Sequence, residues 1–162
     1  MSPHGTAAYD GLSPGTDLPP LVERAVGLAR RLGFANSCRP EHGRLLHALA
    51  AGAAAIGETG TGCGVGLAWL ASGARPATRL VSVEIDTERA GLVADLFADL
   101  PHVAVLPGDW REIYRAGPFD LLVLDGGGVP ADPERLLHAL AAAELRLAPD
   151  LAALVATRRF PG

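Results

Sequence analysis

The feature that most constrains the fold is a glycine-rich stretch, IGETGTGCGVG, at residues 56–66. An apolar run at residues 53–57 leads into it, and a helical pattern, LAWL, begins directly after it at Leu67. Glycine lets the backbone turn sharply and lets another group approach without meeting a Cβ. We therefore predict a strand, a tight turn and a helix, with the turn at the carboxyl end of a strand, where open α/β sheets bind ligands.

Short apolar runs alternate with helical segments through the rest of the chain, which predicts a parallel sheet with right-handed crossovers. Two amphipathic helices come first, from Leu21 to Gly33 and from Pro40 to about Gly52. The predicted strands are residues 53–57, 80–84, 103–106, 121–124 and 152–156, and the predicted later helices are 64–72, 87–100, a short one after Trp110, and 133–147. The predicted fold class is α/β, doubly wound, with a mainly parallel sheet of about five strands.

Length and composition predict one domain. The 162 residues are 49% hydrophobic and 20% charged, which supports one substantial core and not two. Residues 1–18 are expected to form a mobile arm because they are rich in proline and glycine, and residues 19–162 a single domain.

Charge and cysteine content exclude several classes. A net charge of −4, with no long run of either sign, predicts no general attraction to nucleic acid or to an anionic membrane. No apolar stretch is long enough for a membrane span, and no secretory signal is visible. Cys38 and Cys63 match no disulfide framework or zinc spacing, so we expect free thiols in a reducing cytoplasm.

The spacing of the glycines distinguishes between ligands. A dinucleotide fingerprint, GxGxxG, fails at its third glycine, which falls on Val65 or on Leu67. The spacing disfavours an NAD-dependent oxidoreductase. The stretch instead reads acidic-x-G-x-G-x-G and consists of Glu58, Thr59, Gly60, Thr61, Gly62, Cys63 and Gly64.

This spacing resembles motif I of the class I S-adenosylmethionine-dependent methyltransferases, which have a Rossmann-like fold. The resemblance implies that the loop, with Glu58, Thr59, Gly60, Gly62 and Gly64, lies under the methionine part of S-adenosylmethionine. The alternative is a glycine loop that closes the strand–helix turn without any ligand.

A second motif, LVSVEID at residues 80–86, ends in an acid about 20 residues beyond the loop. A carboxylate can accept both hydroxyls of a ribose, so Glu84 is the candidate ribose ligand and Ile85 is expected beside the adenine. Asp86 fits a helix N-cap better.

Two further acids follow predicted strands. In the resembling family a Gly-Asp pair after the third strand lies at the adenine amino group, which implies this role for Asp109. Trp110 either lies against the adenine ring or packs within the protein. Asp125 follows the fourth predicted strand at the ligand-binding edge, and Asp120 is read as a strand-start residue.

Among these enzymes the chain is most similar to the caffeoyl-CoA and catechol O-methyltransferase group over residues 37–162. RPEHGRLL at 39–46, the loop, and Leu-Ala-Pro at 147–149 carry the likeness. Metal-dependent members have an aspartate after the fourth strand and an Asp-Asn pair after the fifth. Here Asp125 is present, but Ala156 and Thr157 replace the pair, so no metal is expected.

The expected activity is metal-independent methyl transfer to an unidentified small-molecule acceptor. His42 and His138 are candidate bases, but a lone histidine on a helix is more often packing, so no catalytic residue is assigned. The alternative is a non-catalytic binding or regulatory protein derived from a methyltransferase. We also expect a homodimer, because the apolar residues 151–156 would otherwise form an uncovered sheet edge where the chain stops.

Overall fold

The structure is a computed structural model that describes residues 4–12 and 17–126. Its α-helices are α1 (Pro20–Arg31), α2 (Pro40–Ala50), α3 (Val65–Gly73), α4 (Thr87–Leu96) and α5 (Ile113–Ala116). Its strands are β1 (Ala55–Thr59), β2 (Arg79–Glu84), β3 (Val103–Pro107) and β4 (Leu121–Leu124). Two short 3₁₀ helices span Ala7–Tyr9 and Trp110–Glu112.

The four strands form a parallel sheet in the order β3-β2-β1-β4, with helices between them along the chain. Gly57 of β1 pairs with Val81 of β2 on one side and with Leu122 of β4 on the other. This arrangement confirms the predicted Rossmann-like α/β fold. The predicted fifth strand, 152–156, and the predicted helix 133–147 lie outside the described residues.

The boundaries of one strand and one helix differ from the prediction. The first strand begins at Ala55, two residues later than expected, and contains Glu58 and Thr59, which the sequence had placed in the turn. The Asp120 carboxylate accepts hydrogen bonds from the N–H groups of Ala54 and Ala55, both at 2.8 Å, which confirms Asp120 as a strand-start residue. The predicted helix 87–100 ends at Leu96, four residues earlier than expected.

The core lies on both faces of the sheet because side chains alternate along each strand. Ile56 and Leu80 pack on one face with α1, α3 and α4, and the main core there includes Val22, Ala25, Leu67, Leu70, Val93 and Phe97. Val81 and Leu122 pack on the other face against Ile113 of α5 and Phe119. Burial on both faces explains the continuous apolar run of β2.

Part of the segment expected to be an arm packs on the domain. Thr6 is 8% exposed and Tyr9 is 6% exposed, and Tyr9 belongs to the main core. The division into an arm and a domain stays a prediction. Within residues 4–12 and 17–126, no helix combines the length and apolar character that crossing a membrane requires.

Candidate functional site

The glycine loop joins β1 to α3 and turns through left-handed backbone. Gly60, Gly62 and Gly64 have φ values of 83°, 55° and 78°. A Cβ on Gly60 would lie 2.3 Å from the Cα of Gly126, so the chain after β4 abuts the loop at this residue. The loop is therefore held between the ends of β1 and β4, and a side chain at Gly60 would meet both strain and backbone.

Glu84 ends β2 and lies against the loop. Its carboxylate is 2% exposed, and its Oε2 accepts a hydrogen bond from the Gly62 N–H at 2.7 Å. Its Oε1 accepts from the Asp86 N–H at 3.1 Å and from Nη2 of Arg89 at 2.9 Å. The structure thus brings together two predicted site residues, Gly62 and Glu84, and adds a cation that the sequence reasoning missed.

Asp86 is the N-cap of α4, as predicted, and accepts from the Arg89 N–H at 3.0 Å. Arg89 lies in the first turn of that helix and also faces the Phe34 ring, 4.9 Å from its centroid. No sequence pattern pointed to Arg89. Its contact with Glu84 depends on the angle at which α4 leaves β2, and that angle is not readable from the sequence.

Glu58, on the neighbouring strand β1, is a second buried acid and is 1% exposed. Ser82 donates to its Oε2 at 2.5 Å, and the Ser82 hydroxyl also lies 2.6 Å from that of Thr61. Burial raises the pKa of Glu58 to about 8, and the negative charges of Asp125 and Glu84 act in the same direction. Ser82 was missed, although a polar residue inside an apolar strand was a usable signal.

Asp125 follows β4 and is half-buried. Its N–H donates to the Thr59 carbonyl at 3.0 Å, and the residue lines one small cavity together with Glu58 and Gly62. Thr59 itself is buried, 3% exposed. Glu58, Thr59, the glycines, Glu84 and Asp125 therefore form one contiguous group at the carboxyl edge of the sheet.

Asp109 and Trp110 lie at the end of β3 and are bonded locally. Asp109 caps the 3₁₀ helix, accepting from the Arg111 N–H at 3.0 Å, and this hydrogen bond holds its pKa below the ordinary value, with the Arg111 guanidinium adding to the effect. The Trp110 ring meets the Tyr114 ring edge-on at 5.6 Å. The Gly108 N–H donates to the Glu84 carbonyl, which joins this region to the site.

Ile85, beside Glu84, is 74% exposed, which leaves an apolar surface free next to the buried acid. Cys38 and Cys63 are both buried thiols, and burial raises the pKa of Cys63 to about 11, so its thiol is a poor nucleophile. Three or more potential metal ligands do not cluster anywhere in the described part of the chain. His138 and the position of the metal-binding pair, 156–157, lie outside it. The assignment of individual residues to cofactor contacts stays a prediction.

A parallel α/β sheet with a glycine loop and a buried acid at the next strand end defines a nucleotide-cofactor-binding domain. Residues 58–154, more than half of the chain, match the methyltransferase domain family. The chain belongs to this family. The match confirms the recognition of a class I methyltransferase domain of the caffeoyl-CoA/catechol O-methyltransferase type, a family that uses S-adenosylmethionine. None of the curated proteins matches the chain significantly.

Solved structures agree with the family. The O-methyltransferase TomG from Streptomyces achromogenes, involved in tomaymycin synthesis and solved with S-adenosylmethionine, is 26% identical with a TM-score of 0.66, covering 84% of this chain and 66% of TomG. An O-methyltransferase from Bacillus cereus, solved with S-adenosylhomocysteine, is 25% identical with a TM-score of 0.61, covering 75% and 60%. A methyltransferase from Geobacter sulfurreducens is 26% identical with a TM-score of 0.62, covering 83% and 71%. The chain thus spans just under two thirds of TomG and three fifths of the Bacillus enzyme.

Proposed function

We propose that this chain binds S-adenosylmethionine over its glycine loop and transfers the methyl group to a hydroxyl oxygen of a small-molecule acceptor. The observation that carries the proposal is the 2.7 Å hydrogen bond between the Gly62 N–H and Glu84 Oε2. This bond holds a buried carboxylate, a group that can accept ribose hydroxyls, directly beside the glycine loop.

The residues around this bond fit the rest of the cofactor. Ile85 offers an exposed apolar face for the adenine, and Asp109 and Trp110 lie at the next strand end. Asp125 and Glu58 put two carboxyl groups on the β1 and β4 side of the loop, where the ammonium of a methionine moiety would favour the ionised form of Glu58.

The cofactor supplies an electrophilic sulfonium methyl when bound, and the chain's contribution is to orient it and exclude water. Holding an acceptor oxygen in line with that methyl is enough for large acceleration, because near-attack geometry alone lowers the barrier by about 7–11 kcal/mol. No acid–base residue has to be assumed for this step.

Isothermal titration calorimetry with S-adenosylhomocysteine and with NAD tests the cofactor. We expect wild type to bind the former and not the latter, and Glu84→Ala to bind S-adenosylhomocysteine about tenfold to hundredfold more weakly. Glu88→Ala is the matched control, since Glu88 is an exposed acid in the first turn of the neighbouring helix α4. Unchanged binding by Glu84→Ala would refute the placement of the ribose.

A methyl-transfer assay across hydroxylated acceptors tests catalysis. Transfer of label to an acceptor supports the enzyme, whereas tight cofactor binding without transfer to any acceptor would favour the non-catalytic alternative. We also propose that the reaction needs no divalent cation, because Ala156 and Thr157 replace the family's ligand pair. Activity that a chelator abolishes and Mg²⁺ restores would overturn this.

We propose in addition that the chain forms a homodimer. The support is the apolar sequence at 151–156, without the charge or proline that blunts a free edge. Sedimentation velocity at micromolar concentration should give a dimer, and a monomer would contradict the proposal.

A further inference from the structure

One wall of the candidate cofactor site comes from the connection between α1 and α2. We call residues 34–38 the wall segment, and four of them, Phe34, Asn36, Ser37 and Cys38, line the same cavity as Glu58 and Gly62. The Cβ of Cys38 lies 3.9 Å from where a Cβ on Gly66 would be, and Gly66 follows the glycine loop directly. The position of the wall segment therefore sets the shape of the site above the loop.

The polar groups of the wall segment are bonded to the N-terminal residues. The Thr6 N–H donates to the Ala35 carbonyl at 3.1 Å, and the Thr6 hydroxyl lies 2.6 Å from the Phe34 carbonyl and 2.7 Å from the Ser37 hydroxyl. Ser37 is 3% exposed. Because a buried hydroxyl needs a partner, Thr6 satisfies that of Ser37, and it also bonds the carbonyls of the half-buried Phe34 and the exposed Ala35.

Tyr9 ties the wall segment to the helix that follows the glycine loop. Its hydroxyl donates to the Cys38 carbonyl at 2.9 Å and accepts from Nε1 of Trp69 in α3, also at 2.9 Å. Trp69 is 4% exposed and Cys38 is 6% exposed. A single buried hydroxyl thus sets the separation between the wall and α3, the two elements that enclose the cavity on this side.

We propose that Thr6 and Tyr9 are positioning residues for cofactor binding: they hold the wall segment at the distance from the glycine loop that the ligand requires. This rests on the proposed function, since the ligand is S-adenosylmethionine or its product. The N-terminal residues, which the composition had assigned to a loose arm, then belong to the framework of the site.

The experiment compares Tyr9→Phe and Thr6→Val with wild type in titrations with S-adenosylhomocysteine, each held well below its unfolding temperature. Tyr9→Phe removes one hydroxyl and keeps the ring, and Thr6→Val keeps the shape of the side chain. Each loses hydrogen bonds to the wall, so the dissociation constant should rise about threefold to tenfold. Thr6→Ser should restore binding to near the wild-type value.

Asp10→Asn is the control. Asp10 pairs with Arg30 on the exposed side of the N-terminal segment and does not contact the wall, so its affinity should match wild type. Wild-type affinity in both Tyr9→Phe and Thr6→Val would overturn the proposal, as would equal weakening in Asp10→Asn.

Amide hydrogen exchange of the ligand-free protein separates this proposal from the proposed function. The Thr6 amide, which donates to the Ala35 carbonyl of the wall segment, should exchange faster in Tyr9→Phe than in wild type, while the amides of β2 stay protected. If wild type binds no S-adenosylhomocysteine, the proposed function fails, and unchanged exchange of the Thr6 amide in Tyr9→Phe would by itself refute the positioning of the wall segment.

Discussion

Glu58 and Glu84 lie near the carboxyl ends of the neighbouring strands β1 and β2 and are similarly buried, at 1% and 2% exposure. Their partners differ. Glu84 accepts from two backbone N–H groups and from the Arg89 guanidinium, whereas Glu58 accepts from the Ser82 hydroxyl and has Asp125 among its charged neighbours. Equal burial is therefore compatible with opposite electrostatic settings, and the partners decide what each carboxyl group can do.

The difference suggests that the two acids have different roles beside the loop. Glu84 is held beside the loop by two backbone N–H groups and the Arg89 guanidinium. Glu58, whose pKa is raised to about 8, can change its charge near neutral pH. A cationic ligand placed near Glu58 would favour its ionised form, so binding on that side is expected to release a proton.

The largest expected effect is the pH dependence produced by Glu58. Its pKa is about 8 in the folded chain against an ordinary value of 4.5, so the folded state binds the proton more tightly. Its stabilising contribution is complete below pH 4.5 and is lost as the pH rises to 8, by on the order of 3–5 kcal/mol. Glu58→Gln should remove this loss, making the variant increasingly more stable than wild type between pH 5 and pH 8.

Urea unfolding across that pH range measures the effect. Glu88→Gln, at an exposed position, should run parallel to wild type. If the difference in unfolding free energy between Glu58→Gln and wild type stays constant across this pH range, Glu58 ionises like an ordinary carboxyl group. The contrast with Glu84 would then disappear.

The next effect concerns the cation beside Glu84. Arg89→Met should lower the free energy of unfolding at pH 7 by about 2–3 kcal/mol, because it leaves a buried carboxylate without its counter-ion. The cost is below that of a fully buried pair because the Arg89 side chain keeps 24% exposure. The double variant Glu84→Gln/Arg89→Met should recover part of the loss, and strict additivity would show that the pair is not coupled.

A smaller effect tests how closely α3 approaches Glu58. A Cβ on Gly66 would lie 2.6 Å from Glu58 Oε1, so Gly66→Ala should destabilise by about 1–3 kcal/mol through overpacking. Gly91→Ala is the matched helical control, since nothing lies within 4 Å of its Cβ position, and it should stabilise by about 0.5–1 kcal/mol. Equal changes in thermal unfolding temperature for the two variants would contradict the close approach.

The smallest effect belongs to Asp109, on the exposed side of the site. Asp109→Ala removes the cap on the 3₁₀ helix and should lower the unfolding temperature by about 1–3 °C, while Asp109→Asn, which can still cap, should stay near wild type. A drop as large as that for Arg89→Met would mean that the β3 end is as tightly integrated as the β2 end.

The glycine spacing, the acids after the strands and the apolar runs were enough to predict the parallel sheet, its first four strands and the glycine turn after the first of them. Caps were also predictable: Asp86 and Asp120 act as expected because their bonds reach only neighbouring backbone or the adjacent strand. Arg89, Ser82 and the wall segment were not found, since their partners are 5, 24 and about 30 residues away and depend on how helices pack.

The N-terminal segment shows most directly that long-range contacts are not readable from the sequence. Its proline and glycine content suggested an arm, yet Thr6 and Tyr9 are buried against residues about 30 and 60 positions further along the chain. Composition describes how easily a segment bends but not what surface it meets. The order of elements, the glycine turn and the methyltransferase resemblance were readable from the sequence because they depend on local spacing and period. Tertiary packing decided three features: the raised pKa of Glu58, the counter-ion of Glu84 and the hydrogen bonds from Thr6 and Tyr9 to the wall segment. Packing alone determines burial and long-range partners.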